Sequence, residues 1–199
     1  MHFDFVDIGT SDFDTSLDSR SQDQTVLLVE PLFKYLSNLP GGKGIFKANF
    51  AVSDKPGFNS VHYVAEADIQ SHNLPAWVRG CNSIGGQHPT VVNLLKERDL
   101  PNLLIQTEDI RIITFTQLIN IYAVTSISQL KIDTEGHEHF ILPDVIKLIK
   151  TGKLVIPTII CEYVPAFGHI DELDKLIIKL IKLGYSLSKF EENAVLELK

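Results

Sequence analysis

Eleven residues, LKIDTEGHEHF (130–140), set Asp133, Glu135, His137, Glu138 and His139 directly behind a short apolar run. An apolar strand does not need such a crowd at its end. Carboxylates and imidazoles move protons near neutral pH and bind divalent cations. Two further acids close apolar runs, Asp7 in FDFVDIG (3–9) and Glu30 in TVLLVEP (25–31). Ser53, Asp54 and Glu162 stand at the ends of other such runs.

Those runs alternate with helical patterns. PLFKYLSNLP reads as a short helix, GIFKANFAVSD (44–54) as a third strand and SQLKID (128–133) as a fourth. DVIKLIKTG has apolar residues at helical spacing, with Gly152 placed to end it. LVIPTIICEY (154–163) is a fifth strand, and IDELDKLIIKLIKLG is an amphipathic helix with an acidic first turn. YSLSKF, the turn EEN and AVLELK read as a closing antiparallel hairpin.

Uninterrupted apolar strands between helices imply a doubly wound α/β fold, a mostly parallel sheet covered on both faces. Ligands of such sheets sit at the carboxyl ends of the strands, where the acids fall. Residues 58–112 break the alternation and hold the only tryptophan, so they read as an excursion forming a lid or substrate wall. Residues 1–199 are expected to form a single domain.

The net charge of −7 and the lack of a Lys/Arg run argue against nucleic acid as a partner. No apolar stretch approaches a membrane span, and strand-like sequence from the start leaves no room for a signal or transit peptide. Two cysteines without a CxxC, Cys81 and Cys161, fit a reducing, cytoplasmic setting and exclude a cysteine-based zinc site. The apolar hairpin edge could pair with a second copy as a homodimer.

The first loop discriminates between cofactors. Nicotinamide folds want G-x-G-x-x-G after strand one, so that pyrophosphate rests on a helix N-terminus. DIGTSDFDT has one glycine and the acids Asp7, Asp12 and Asp14. Acids repel a pyrophosphate but suit the sulfonium and ammonium groups of S-adenosylmethionine. Glu30, at the end of strand two, could accept hydrogen bonds from both ribose hydroxyls. Adenosylmethionine is preferred over nicotinamide.

Four stretches, FVDIGTSDFDT, VEP followed by YLSNLP, ANFAVSDKPG and above all ITFTQLINIYAVTSISQLKIDTEGHE, resemble the FkbM family of methyltransferases. The resemblance runs along nearly the whole chain in the right order. It implies a class I, Rossmann-like methyltransferase fold with a seven-stranded sheet whose last strand is antiparallel. It also implies S-adenosylmethionine-dependent O-methylation of a hydroxyl, often on a sugar, glycan or similar small molecule. Carried over by residue, it implies cofactor contacts from Asp7, Gly9, Thr10 and Ser11, from Glu30 and Pro31 at the ribose, and from Ala51, Val52 and Ser53 on the adenine side. Asp133, with Glu135 and Gly136, matches the block beside the transferring methyl. RGCNSI resembles a glycine-serine element of the substrate region. The first loop departs from the family's more common glycine-alanine-asparagine type.

Methyl transfer needs an aligned acceptor oxygen and a group that takes its proton, a base being worth about 10²–10⁴-fold. Asp133 is the first candidate, although it could instead cap the next helix. His88 in GGQHPTV sits on a loop that could close over the acceptor, or is a satisfied loop histidine. His137 could face the cleft, whereas the H-x-H of His137 and His139 would diverge on a helix and make a poor zinc pair. Trp77, Arg79, Asn82, Ser83 and Glu135 suit a sugar ring, with Trp77 alternatively anchoring its loop. Asp133 and Glu135 would also suit magnesium or manganese. Two other functions fit less well, a non-catalytic binding module on the same fold and a nicotinamide-dependent oxidoreductase.

Overall fold

The computed structural model describes residues 1–12, 15–190 and 192–199; Asp14 of the first loop and Glu191 of the EEN turn lie outside them. The chain runs β1 (His2–Ile8), β2 (Val26–Val29), α1 (Phe33–Asn38), β3 (Ile45–Ala48), β4 (Ala51–Ser53), β5 (Gly57–Val64), α2 (Glu66–Ser71), β6 (Ser83–Ile84) and α3 (Pro89–Glu97). It continues through β7 (Ile105–Thr114), α4 (Phe115–Ile121), β8 (Ser126–Ile132), α5 (Glu138–Lys150), β9 (Thr158–Glu162), α6 (Ile170–Lys182), β10 (Tyr185–Phe190) and β11 (Asn193–Leu198).

Seven strands form one mixed sheet in the order β10-β11-β9-β8-β1-β2-β3. β1, β2 and β3 pair in parallel, as do β1, β8 and β9 on the other side, while β11 runs antiparallel between β9 and β10. The direction of growth therefore reverses at β1. Its register sets Ile8 against both Val29 and Ile132. That places Gly9 between Glu30 and Asp133, three strand ends side by side.

The apolar runs form strands because both their faces are covered. In β2, Leu27 and Val29 enter the main core with residues of α4, α5 and α6, while Val26 and Leu28 pack with Leu36 and Leu39 around α1. Each such side chain contributes about 1.5–3 kcal/mol by leaving water. α6 buries the stripe Leu173, Leu176, Ile177 and Leu180. α4 is started by a capping box, Thr114 accepting from the Gln117 amide while the Gln117 side chain accepts from Thr114. Gly152, at φ +67°, follows α5 where the chain must turn left-handed.

Three expectations change. The 44–54 run is two strands, because Asn49 donates to the carbonyls of Glu30 (3.0 Å) and Pro31 (2.7 Å) and breaks the extended chain there. The 154–163 run is a strand only from Thr158, after Pro157. The 58–112 excursion is not irregular: β5 pairs antiparallel with β7 from Gly57↔Ile112 to Val64↔Ile105. With β4 and β6 they make a second, four-stranded sheet, order β4-β7-β5-β6. Periodicity hid these strands because β5 opens with three exposed residues and does not alternate strictly. Among the described residues no helix is long and apolar enough to cross a membrane.

Candidate active site

Gly9 is where the two halves of the main sheet touch. Its φ is +86°, and a Cβ there would sit 1.7 Å from the Asp133 carbonyl oxygen. Its amide donates to Val29 (2.9 Å), and the Asp133 amide donates to Ile8 (2.9 Å). A cleft opens above this junction, bounded by Gly9, Ser11, Glu30, Pro31, Ala51 and Val52, with Asp133, Thr134 and Glu135 also lining it. Ile8, Val29, Phe50, Val61 and Ile84 give it apolar walls.

Glu30 is 6% exposed and its Oε1 accepts from the Leu32 amide at 2.7 Å. Burial pushes its carboxyl up to about 8, against the opposing pull of that amide and of Lys34. Asp7 is fully buried beneath the cleft, where Oδ2 accepts from the Ser16 amide at 2.7 Å and so ties down the first loop. Burial raises its carboxyl above the ordinary range, and Lys131 chiefly opposes the rise. Thr10 is likewise buried, its amide donating to Val29, and does not line the cleft.

A second concavity meets the first at Asp133 and Glu135. It is a groove lined by Trp77, Cys81, His88 and Thr90 on one side and Glu162, Val164, Phe167 and Glu192 on the other. Lys131 Nζ stands 3.1 Å from Asp133 Oδ2. The chain after Asp133 is held in an uncommon shape, Glu135 and Gly136 both left-handed at φ +56° and +94°. Close packing fixes Gly136, since a Cβ there would meet the Phe167 ring at 2.9 Å. Glu138 secures the same loop by accepting from the Thr134 amide and hydroxyl, both at 2.7 Å. The Glu135 amide donates to Glu162 at 3.0 Å, and His88 Nε2 lies 3.0 Å from Glu135 Oε2. Burial raises the Glu135 carboxyl and, with Glu135 and Asp133 beside it, pushes Glu162 up to about 10.

Other residues named from the sequence lie elsewhere. His137 is not inside the helix but precedes α5, sharing a 2.8 Å hydrogen bond with Ser53. Both line a third groove with His139, Phe140 and His169, away from Asp133. Burial, with His139 and His169 adding positive charge nearby, pulls His137 down to about 4. Ser83 borders this groove and donates to the Gly86 carbonyl at 2.6 Å. Arg79 points at Asp12, with NH2 2.6 Å from Oδ2, and so ties the excursion to the first loop. Asn82 lines the first cleft rather than the second groove. Sequence reasoning passed over Lys131, and it named Glu138 in the crowd behind the strand and Glu162 among the strand-end acids without giving either a task. A lysine inside an apolar strand was the available signal for the first, since it must find a partner.

The family profile described as methyltransferase FkbM domain matches residues 7–187. No curated protein and no solved structure matches the chain. The span matched takes in the end of β1 with its glycine turn, the Asp133–Gly136 loop and the start of β10, and the chain belongs to the FkbM methyltransferase family.

Proposed function

We propose that this protein is an S-adenosylmethionine-dependent O-methyltransferase acting on a hydroxyl of a sugar, glycan or similar small molecule. The carrying observation is the junction at Asp133, where an apolar-walled cleft with a buried carboxylate meets a second groove that holds Trp77, His88 and Glu162. The strand order agrees with a doubly wound class I methyltransferase, its helices on both faces and its antiparallel strand inserted next to last.

The cleft suits the donor part by part. Phe50, Val52, Val61 and Ile84 offer an apolar bed for adenine, and Glu30 accepts from the ribose diol. Gly9 leaves room for backbone approach, and Ser11 and Asp133 meet the methionine end. When bound, the cofactor supplies a methyl group on a cationic sulfur.

The protein's own contribution is position and proton removal. Trp77 gives a sugar ring an aromatic face, and the groove walls hold its hydroxyl against Asp133. Asp133 accepts the hydroxyl proton as the new oxygen–carbon bond replaces the sulfur–carbon bond, with Lys131 Nζ 3.1 Å from its Oδ2. Alignment within about 3–3.5 Å supplies much of the acceleration. A methyl-donor assay against a panel of sugars and glycans tests the reading. Transfer to a hydroxyl supports it, and transfer to no hydroxyl in a panel that includes the natural acceptor class refutes it.

A further inference from the structure

Glu162 and His88 have no part in the chemistry above, yet both face the junction. Asp133, Glu135 and Glu162 each offer a carboxylate oxygen, and these lie within 4.8 Å of one another. They arrive from different places, Asp133 following β8, Glu135 in the left-handed loop and Glu162 ending β9. Like charges so close repel, and Lys131 Nζ stands 3.1 Å from Asp133 Oδ2.

His88 gives a separate indication. It precedes α3, is 4% exposed, and points Nε2 at Glu135. Despite the 3.0 Å approach, neither ring nitrogen has a hydrogen-bond partner of acceptable geometry among the described residues. His88 reaches the carboxylate group through Glu135, the member it shares with Asp133 and Glu162, and an imidazole so placed can complete a cation site.

We propose that Asp133, Glu135, Glu162 and His88 bind a divalent cation at the base of the groove. Three hard oxygen donors and one imidazole match manganese best. Cys81 is the rival donor, its sulfur within 4.8 Å of ligand atoms of His88 and Glu135. That soft set would favour zinc instead. The cation's role, orienting the acceptor oxygen, rests on the methyltransferase reading; its binding does not.

The test titrates metal-stripped protein with Mn²⁺ alone, following the paramagnetic resonance of the free ion, with adenosylmethionine binding measured by calorimetry in parallel. A single saturable Mn²⁺ is expected, bound roughly tenfold or more weakly by Glu162→Gln and unchanged in Cys81→Ala. Retained adenosylmethionine binding shows that the variant is folded, and His88→Gln serves as the second variant should Glu162→Gln not fold. Absence of saturable binding to the wild type overturns the site. So does full affinity in the folded variants, or loss of binding in Cys81→Ala. Mn²⁺ binding without adenosylmethionine binding leaves the cation site standing and removes the methyltransferase reading.

Discussion

The two sheets carry different halves of the site, and they are built differently. In the seven-stranded sheet every residue of β2 is buried, and backbone register alone sets Gly9 between Glu30 and Asp133. In the four-stranded sheet β5 opens with three exposed residues, and the chain between β5 and β7 carries Trp77, Asn82 and His88. That segment has its own small core, including Ile69, Val78, Val91 and Leu95, and is tied to the first loop through Arg79 and Asp12. The first cleft takes its floor from the seven-stranded sheet and the walls at Val52, Val61 and Ile84 from the four-stranded one. Trp77 and His88 of the second groove stand on the segment between β5 and β7, apart from those walls.

Substitutions can break this division. The largest effect should come where the halves meet: Asp133→Asn is expected to lower turnover by about 10²–10⁴-fold with melting temperature little changed, read by steady-state kinetics beside thermal melting. Gly9→Ala attacks the main sheet itself. Its Cβ would collide with the Asp133 carbonyl, so a loss of about 3 kcal/mol is expected in the denaturant midpoint at unchanged slope, together with loss of the donor cleft.

Glu30→Gln sharpens the comparison by pH. In the unfolded chain Glu30 ionises near 4.5, whereas in the fold burial holds its proton up to about 8. Between those values the folded protein keeps a proton that the unfolded chain loses, so Glu30 makes stability fall as pH rises across that window. The glutamine variant should melt with the wild type at the acid end and above it at pH 8, while binding adenosylmethionine roughly 10–100-fold more weakly. The smallest effect is expected from Trp77→Ala, in the acceptor wall. Its KM for the acceptor should rise about tenfold, with donor binding unchanged.

The main sheet was legible because its physics is local. Apolar runs such as TVLLVEP, ended by Pro31 and a buried acid, leave few alternatives, and the helix of α6 declares its stripe at Leu173, Leu176 and Leu180. The acids at the strand ends were found for the same reason. The second sheet was not legible, since β5 (GFNSVHYV) mixes exposed and buried faces without strict alternation. The break between β3 and β4 depends on Asn49 reaching carbonyls of another segment, which no local pattern reports. Convergence of Glu162 and His88 on Glu135 is likewise a product of register and loop closure. His137 shows the converse: its place in the cluster behind Asp133 suggested the cleft, but two left-handed residues, Glu135 and Gly136, precede it and it meets Ser53 instead.

Calorimetric titration of the wild-type chain with S-adenosylmethionine tests the central claim most directly. A single saturable site is expected, with its affinity lost or strongly reduced in Glu30→Gln and retained in Trp77→Ala. No heat and no thermal shift at millimolar cofactor would contradict the account, because the cleft between Glu30 and Asp133 would then hold something else.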